Sequence, residues 1–122
     1  MKQPGPDHPI TLTPEPHRIR VLVAGVAVAD TRNAVRLQEA SYPPVFYIPR
    51  ADIQADSFVP SAKTSHCPYK GEARYFDLVV EGVRRPDAVW SYEAPFPAVS
   101  AIRDHVAFYP DRVDAIEVLE AS

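Results

Sequence analysis

Residues 64–76, TSHCPYKGEARYF, hold a histidine, the only cysteine of the chain, two basic residues and two tyrosines. These are the side chains of nucleophilic chemistry. A cysteine attacks as its thiolate, so a reactive Cys67 needs a base or a positive charge beside it. His66 is adjacent in sequence, but neighbours on a strand point to opposite faces, which makes it a poor base for Cys67. Lys70, Arg74 or a distant histidine such as His105 would have to serve instead. If a reaction occurs, Cys67 or His66 is the expected reacting group and Arg74 or Lys70 the charge stabiliser. The plainer reading makes Cys67 a small buried apolar residue and His66 a hydrogen-bonded structural one.

A metal reading is weaker. A closed zinc site takes four Cys or His ligands, and the chain has one Cys and four His (8, 17, 66 and 105). His66, Cys67 and His105 would make three ligands, short of a closed set. No metal is expected, and the residues specify no cofactor.

A second aromatic group, WSYE at 90–93, puts Trp90 and Tyr92 on one strand face. Either Trp90 anchors the core, or these rings join Tyr47, Tyr75 and Tyr109 around a small ligand, since such pockets combine aromatic walls with a few fixed polar groups. The expected ligand-binding set is His66, Cys67, Tyr69, Lys70, Arg74, Trp90, Tyr92 and Tyr109, for a small anionic or aromatic ligand. Arg74 on an apolar face would need a carboxylate partner (Glu72, Glu93 or Asp111) or a bound anion. Arg50 and Arg112 are open to the same two readings.

The elements that would position these groups are short strands. Fourteen prolines in 122 residues break helical ladders and exclude long helices. Pro68 and Gly71 suit a turn. Pairing 64–67 with 72–80 across a four-residue loop sets Cys67 opposite Glu72, Ser65 opposite Arg74 and His66 opposite Ala73. Ser65, Cys67, Glu72 and Arg74 then share a face with Phe76, Leu78 and Val80, while His66 and Tyr75 take the other. Alternating or compact apolar runs predict further strands at RIRVLVAG, VAVADT, NAVRLQEA, VFYIP, AVWSYE, VAFYP and VDAIEVL. The spacing of Val99, Ile102 and Val106 after Pro97 predicts a short helix over 97–105. The fold class is mainly β, a small antiparallel barrel or sandwich of about eight short strands with one or two short helices. Five prolines in the first sixteen residues predict an extended or mobile arm over 1–16, leaving 17–122 as a single compact β domain.

Composition removes several function classes. At 46% apolar and 24% charged residues the chain can build a core, and its size fits one domain. A net charge of −3 lacks the basic face that broad nucleic-acid binding requires, and Lys63, Lys70 and Arg74 are too few to replace it. No apolar run is long enough for a bilayer. No hydrophobic region of a signal peptide precedes residue 17. With one cysteine no internal disulfide can form, and a cytoplasmic location is expected.

Four stretches in this order carry a resemblance: PPVFYIPR (43–50), TSHCPYKGEARY (64–75), AVWSYEAP (88–95) and HVAFYPDRVD (105–114). Together they resemble the bacterial and fungal family called domain of unknown function 427, over roughly residues 17–120. The resemblance implies a compact, mostly β domain. That family is sometimes labelled nucleotidyltransferase-like. Typical nucleotidyltransferases share a Gly-Ser turn followed by a D-x-D pair that holds Mg²⁺. This chain has neither; its nearest pairs are Asp52 with Asp56 and Asp111 with Asp114. Three functional expectations result: a small-ligand pocket near residues 64–75, with or without turnover; an interaction or homodimer module using exposed aromatics and an edge strand; and nucleotidyl transfer, carried by the label alone.

Overall fold

The computed structural model describes residues 1–120. Ten strands form two antiparallel sheets: β1 (Ile10–Pro14), β2 (Arg18–Val23), β3 (Val26–Thr31), β4 (Val35–Glu39), β5 (Val45–Pro49), β6 (Phe58–Cys67), β7 (Gly71–Val80), β8 (Val83–Ser91), β9 (His105–Phe108) and β10 (Ala115–Leu119). The larger sheet runs β1-β4-β5-β9-β8-β7-β6 and the smaller β10-β2-β3. Both sheets are open, so the architecture is a sandwich and not a closed barrel.

The prolines explain much of this layout. Pro14 and Pro60 sit in β1 and β6, the two edges of the larger sheet, where a missing N–H breaks no ladder. Pro86 falls where the β7–β8 register shifts, between Phe76↔Val89 and Leu78↔Arg85; a bulge tolerates what a central ladder does not. The helix expected over 97–105 is instead a pair of 3₁₀ turns at Pro97–Ile102, broken at Val99 (φ −123°). Its apolar spacing is real, since Val99 and Ile102 are both buried, but the segment is too short and kinked for an α-helix.

The larger sheet is covered on both faces. Along β5, β8 and β9 neighbouring residues go to opposite cores: Ile48, Val89, Val106 and Phe108 to one, Tyr47, Trp90 and Ala107 to the other. Strands buried on both sides read as continuous apolar runs, as VFYIP and VAFYP do. The first core lies between the sheets and takes Ile19, Val21, Val23 and Val28 from β2 and β3, with Phe76, Leu78 and Val80 from β7. The second, on the far face, gathers Leu37, Tyr47, Ala73, Tyr75, Tyr92 and Ala107 under Val99 and Ile102.

Part of the segment expected as an extended or mobile arm is extended but packed onto the domain. Residues 10–14 form β1, paired with β4 from Ile10↔Glu39 to Pro14↔Val35. The Lys2 N–H donates to the Pro68 carbonyl (2.7 Å). His8 stacks on Tyr69 with ring centroids 4.1 Å apart.

The hairpin at the centre of the sequence pattern is one residue tighter than expected. Cys67 pairs with Gly71, His66 with Glu72, Ser65 with Ala73 and Thr64 with Arg74. Gly71 begins β7 at φ +113°, which lets three residues, 68–70, make the connection. A one-residue slip moves every side chain of one strand to the other face. Cys67 therefore lies on the Tyr75 face, and His66 on the opposite one, the face of Phe76, with Glu72 and Arg74.

A tyrosine-walled candidate site

The far face of the larger sheet does not close completely. It leaves a pocket of about 240 Å³, lined by Leu37, Glu39, Tyr42, Pro43, Val45, Tyr47, Lys70, Tyr75, Trp90, Tyr92 and Tyr109. Five of the six tyrosines and the only tryptophan of the chain lie in this wall. Strand alternation puts them there. Leu37 and Glu39 of β4, Val45 and Tyr47 of β5, Tyr75 of β7 and Trp90 of β8 each sit two residues from, or directly across from, another member of the same face.

Hydrogen bonds hold the rings in order. The Trp90 N–H donates to the Tyr47 hydroxyl (3.2 Å). Ser65 Oγ and Tyr75 Oη are 2.8 Å apart, and Tyr75 Oη and Tyr109 Oη 3.4 Å. Tyr75 and Tyr109 are parallel at 6.4 Å, and Trp90 leans on Tyr109 at 4.5 Å. Burial pushes the Tyr47, Tyr92 and Tyr109 hydroxyls well above the ordinary phenol pKa. These three are thus neutral phenols, able to donate and accept hydrogen bonds without carrying charge.

One ion pair interrupts it. The Lys70 ammonium donates to Glu39 Oε1, and His8 Nε2 lies 2.7 Å from Glu39 Oε2. Lys70 is 8% exposed, and its Nζ stands 6.0 Å from the Tyr92 ring centroid. Burial pushes the Glu39 carboxyl up, but the hydrogen bonds from Lys70 and His8 outweigh it, and its pKa lies below the usual carboxylate value. The backbone at Lys70 is fixed by the hairpin turn, by the Phe96 N–H donating to its carbonyl (3.0 Å), and by His8 against the neighbouring Tyr69. A lysine at a turn apex is usually solvated. Here the tight turn aims it under the sheet.

Of the residues singled out from sequence, Lys70, Trp90, Tyr92 and Tyr109 line this pocket. Cys67 is half-buried and packs against the second core without joining the lining. His66 does not: it is on the outer surface, hydrogen-bonded to Glu72 and edge-on to Phe96. Arg74 also lies outside, bridging to Glu93 (3.3 Å) and stacked over Phe76 at 4.9 Å, so its partner is one of the carboxylates the sequence offered. Arg50 reaches the same Glu93 and Ser91. Tyr69 serves as the platform for His8. His66 and Cys67 therefore form no dyad, and His105 is occupied with the Arg103 carbonyl at 2.7 Å. Among the described residues no three His, Cys, Asp or Glu side chains are grouped to hold a metal ion.

Glu39, Tyr42 and His8 were missed. Glu39 shares the β4 face of Leu37, a legible sign, but its partner comes from a hairpin 31 residues away. His8 was hidden by reading 1–16 as an arm.

A second hollow adjoins the first. A cleft of about 510 Å³ opens between the two sheets, lined by Ile19, Val21, Tyr42, Pro43, Pro44, Val45, Phe46, Ile48, Trp90, Phe108, Pro110 and Ile116.

Fold and cavity define a small antiparallel β-sandwich with an aromatic pocket on the outer face of its larger sheet. The chain belongs to the family described as domain of unknown function (DUF427), which matches residues 11–119. That range takes in β1 from Thr11 onward as well as the stretches that carried the resemblance. No curated protein matches the chain. No helix among the described residues is long and apolar enough to cross a membrane.

Proposed function

We propose that this protein binds a small planar aromatic molecule bearing a hydroxyl or similar polar group, in the tyrosine-walled pocket and against the Lys70–Glu39 pair. The observation that carries this reading is the convergence of Tyr47, Tyr75, Trp90, Tyr92 and Tyr109 on one concave site around a single buried ion pair. Aromatic walls bind a flat ring by stacking and edge contacts. A few fixed polar groups then set its orientation. An aromatic ligand is favoured over a simple anion because Glu39 already neutralises Lys70; a free anion would have to displace a carboxylate held by two partners. The pair offers donor and acceptor side by side, which suits a hydroxyl.

The exposed large apolar side chains Met1, Tyr42, Val83 and Val118 lie on four separate segments of the chain. Trp90 is the only tryptophan, which makes its fluorescence a direct reporter of the pocket. Titration with phenol, 4-hydroxybenzoate and indole is expected to change Trp90 emission saturably and to raise the melting temperature. Unchanged emission and melting across the three would refute the reading. ATP and GTP with Mg²⁺ in the same assay test nucleotidyl transfer, for which no shift is expected.

A further inference from the structure

The tyrosine pocket and the cleft between the sheets share four lining residues, Tyr42, Pro43, Val45 and Trp90. Yet the two hollows differ in chemistry. The pocket holds Lys70, Glu39 and the phenol hydroxyls. The cleft has no charged side chain, and its depth is Ile19, Val21 and Ile48, exposed by 0%, 0% and 1%. Water there would find few of the two to four polar partners that a bound water needs. The Trp90 N–H is already given to Tyr47. Trp90 stands between the two hollows, but Tyr42, 60% exposed, and Pro43, also exposed, form a rim common to both, over which a ligand can reach from one to the other.

From this juxtaposition we infer that the two hollows are compartments of one site for an amphiphilic ligand. Its polar aromatic ring occupies the tyrosine pocket and an aliphatic arm of several carbons lies in the cleft between β2, β10 and β5. This inference rests on the aromatic-ligand reading above and adds the apolar arm. A cavity of ~150 Å³ lined by aliphatic residues is enough for a benzene, so the larger cleft has room for such an arm.

A series of 4-alkylphenols (phenol, 4-ethyl-, 4-butyl- and 4-hexylphenol), followed by Trp90 fluorescence and thermal shift, tests it. Affinity is expected to rise about fourfold per buried methylene. Ile116→Asp, which puts a charge in the cleft and leaves the tyrosine pocket untouched, should flatten that dependence while phenol itself binds as before. Should Ile116→Asp fail to fold by circular dichroism, Ile116→Phe fills the cleft without a charge and should flatten it equally. Phenol binding with no gain along the series overturns the two-compartment site and leaves the aromatic reading standing, as does a gain that persists in both Ile116 variants. If n-hexanol binds as tightly as 4-hexylphenol, the ring contributes nothing and the single-ligand inference is wrong. No binding by any member removes both.

Discussion

The indole of Trp90 donates its N–H to the hydroxyl of Tyr47, a residue 43 positions earlier, across 3.2 Å. Their rings meet edge to face at 6.3 Å. Tyr47 is almost fully buried, so this bond fixes Trp90 as the wall between the tyrosine pocket and the intersheet cleft. Tyr47→Phe keeps the ring and removes the acceptor. A loss of about 1 kcal/mol is expected, with a melting temperature lower by a few degrees. Scanning calorimetry measures the loss, and a shifted Trp90 emission maximum would localise it. An unchanged emission spectrum would show that the bond does not hold the indole.

The Lys70–Glu39 pair makes a second prediction. Lys70→Met leaves Glu39 in a largely apolar wall with only His8 as partner. The expected cost is about 2–3 kcal/mol, below the range for a fully buried pair because Glu39 keeps some exposure. The double variant Lys70→Met/Glu39→Leu should recover much of it, since no charge is then left unpaired. Urea denaturation of the two singles and the double gives the coupling. A double variant as unstable as the sum of the singles would contradict this account.

The lowered Glu39 pKa fixes the sign of a pH effect. The folded protein binds this proton less readily than the unfolded chain. The stabilisation is therefore complete above the unfolded carboxylate value and is lost as pH falls through the folded one. Asp30, beside Arg18, and Asp114, bound by the Ala24 N–H and Arg85, are shifted the same way, so the wild type is expected to weaken on acidification. Glu39→Gln removes the Glu39 share, and its denaturation midpoint should fall less steeply as pH drops below the ordinary glutamate value of about 4.3. Parallel slopes would mean that the ion pair adds nothing pH-dependent.

His66 and Cys67 should behave differently although they are neighbours. His66→Ala alters an exposed pair with Glu72, and a change within about 0.5 kcal/mol is expected, with no effect on phenol binding. Cys67→Ser puts a hydroxyl against the second core and should cost about 1 kcal/mol or more. Equal effects would mean that the observed hairpin register is wrong.

Removal of residues 1–9 takes away the Lys2–Pro68 hydrogen bond, the His8–Tyr69 stack and one of the two partners of Glu39. Faster amide exchange is expected at residues 68–71 and around Glu39, with the β2–β3 hairpin unaffected. Unchanged exchange at the turn would make the segment dispensable to the site.

Local patterns carried the strands well. Alternation around Ile19, Val21 and Val23, the continuous apolar run of VFYIP and the shared face of Trp90 and Tyr92 all depend on a period of two, which the backbone imposes wherever a strand forms. The scarcity of helix followed from the prolines for the same local reason. The Pro97–Ile102 turns were read as a helix because apolar spacing alone does not reveal a broken turn. β1 was lost because Pro-rich sequence reads as an arm unless its partner strand is known.

The chain alone thus determined a mainly β domain and marked Lys70, Trp90, Tyr92 and Tyr109 as aromatic or polar groups worth following. It could not say which face of the 64–76 hairpin looks inward, since that depends on a loop of three residues in place of four and on Gly71 taking a positive φ. Tertiary structure decided that Cys67 turns toward the aromatic core and His66 toward solvent. It also brought Glu39, Lys70 and His8 together from three segments. Pairing register and long-range ion pairs are set by packing between distant strands, which no short window of sequence contains.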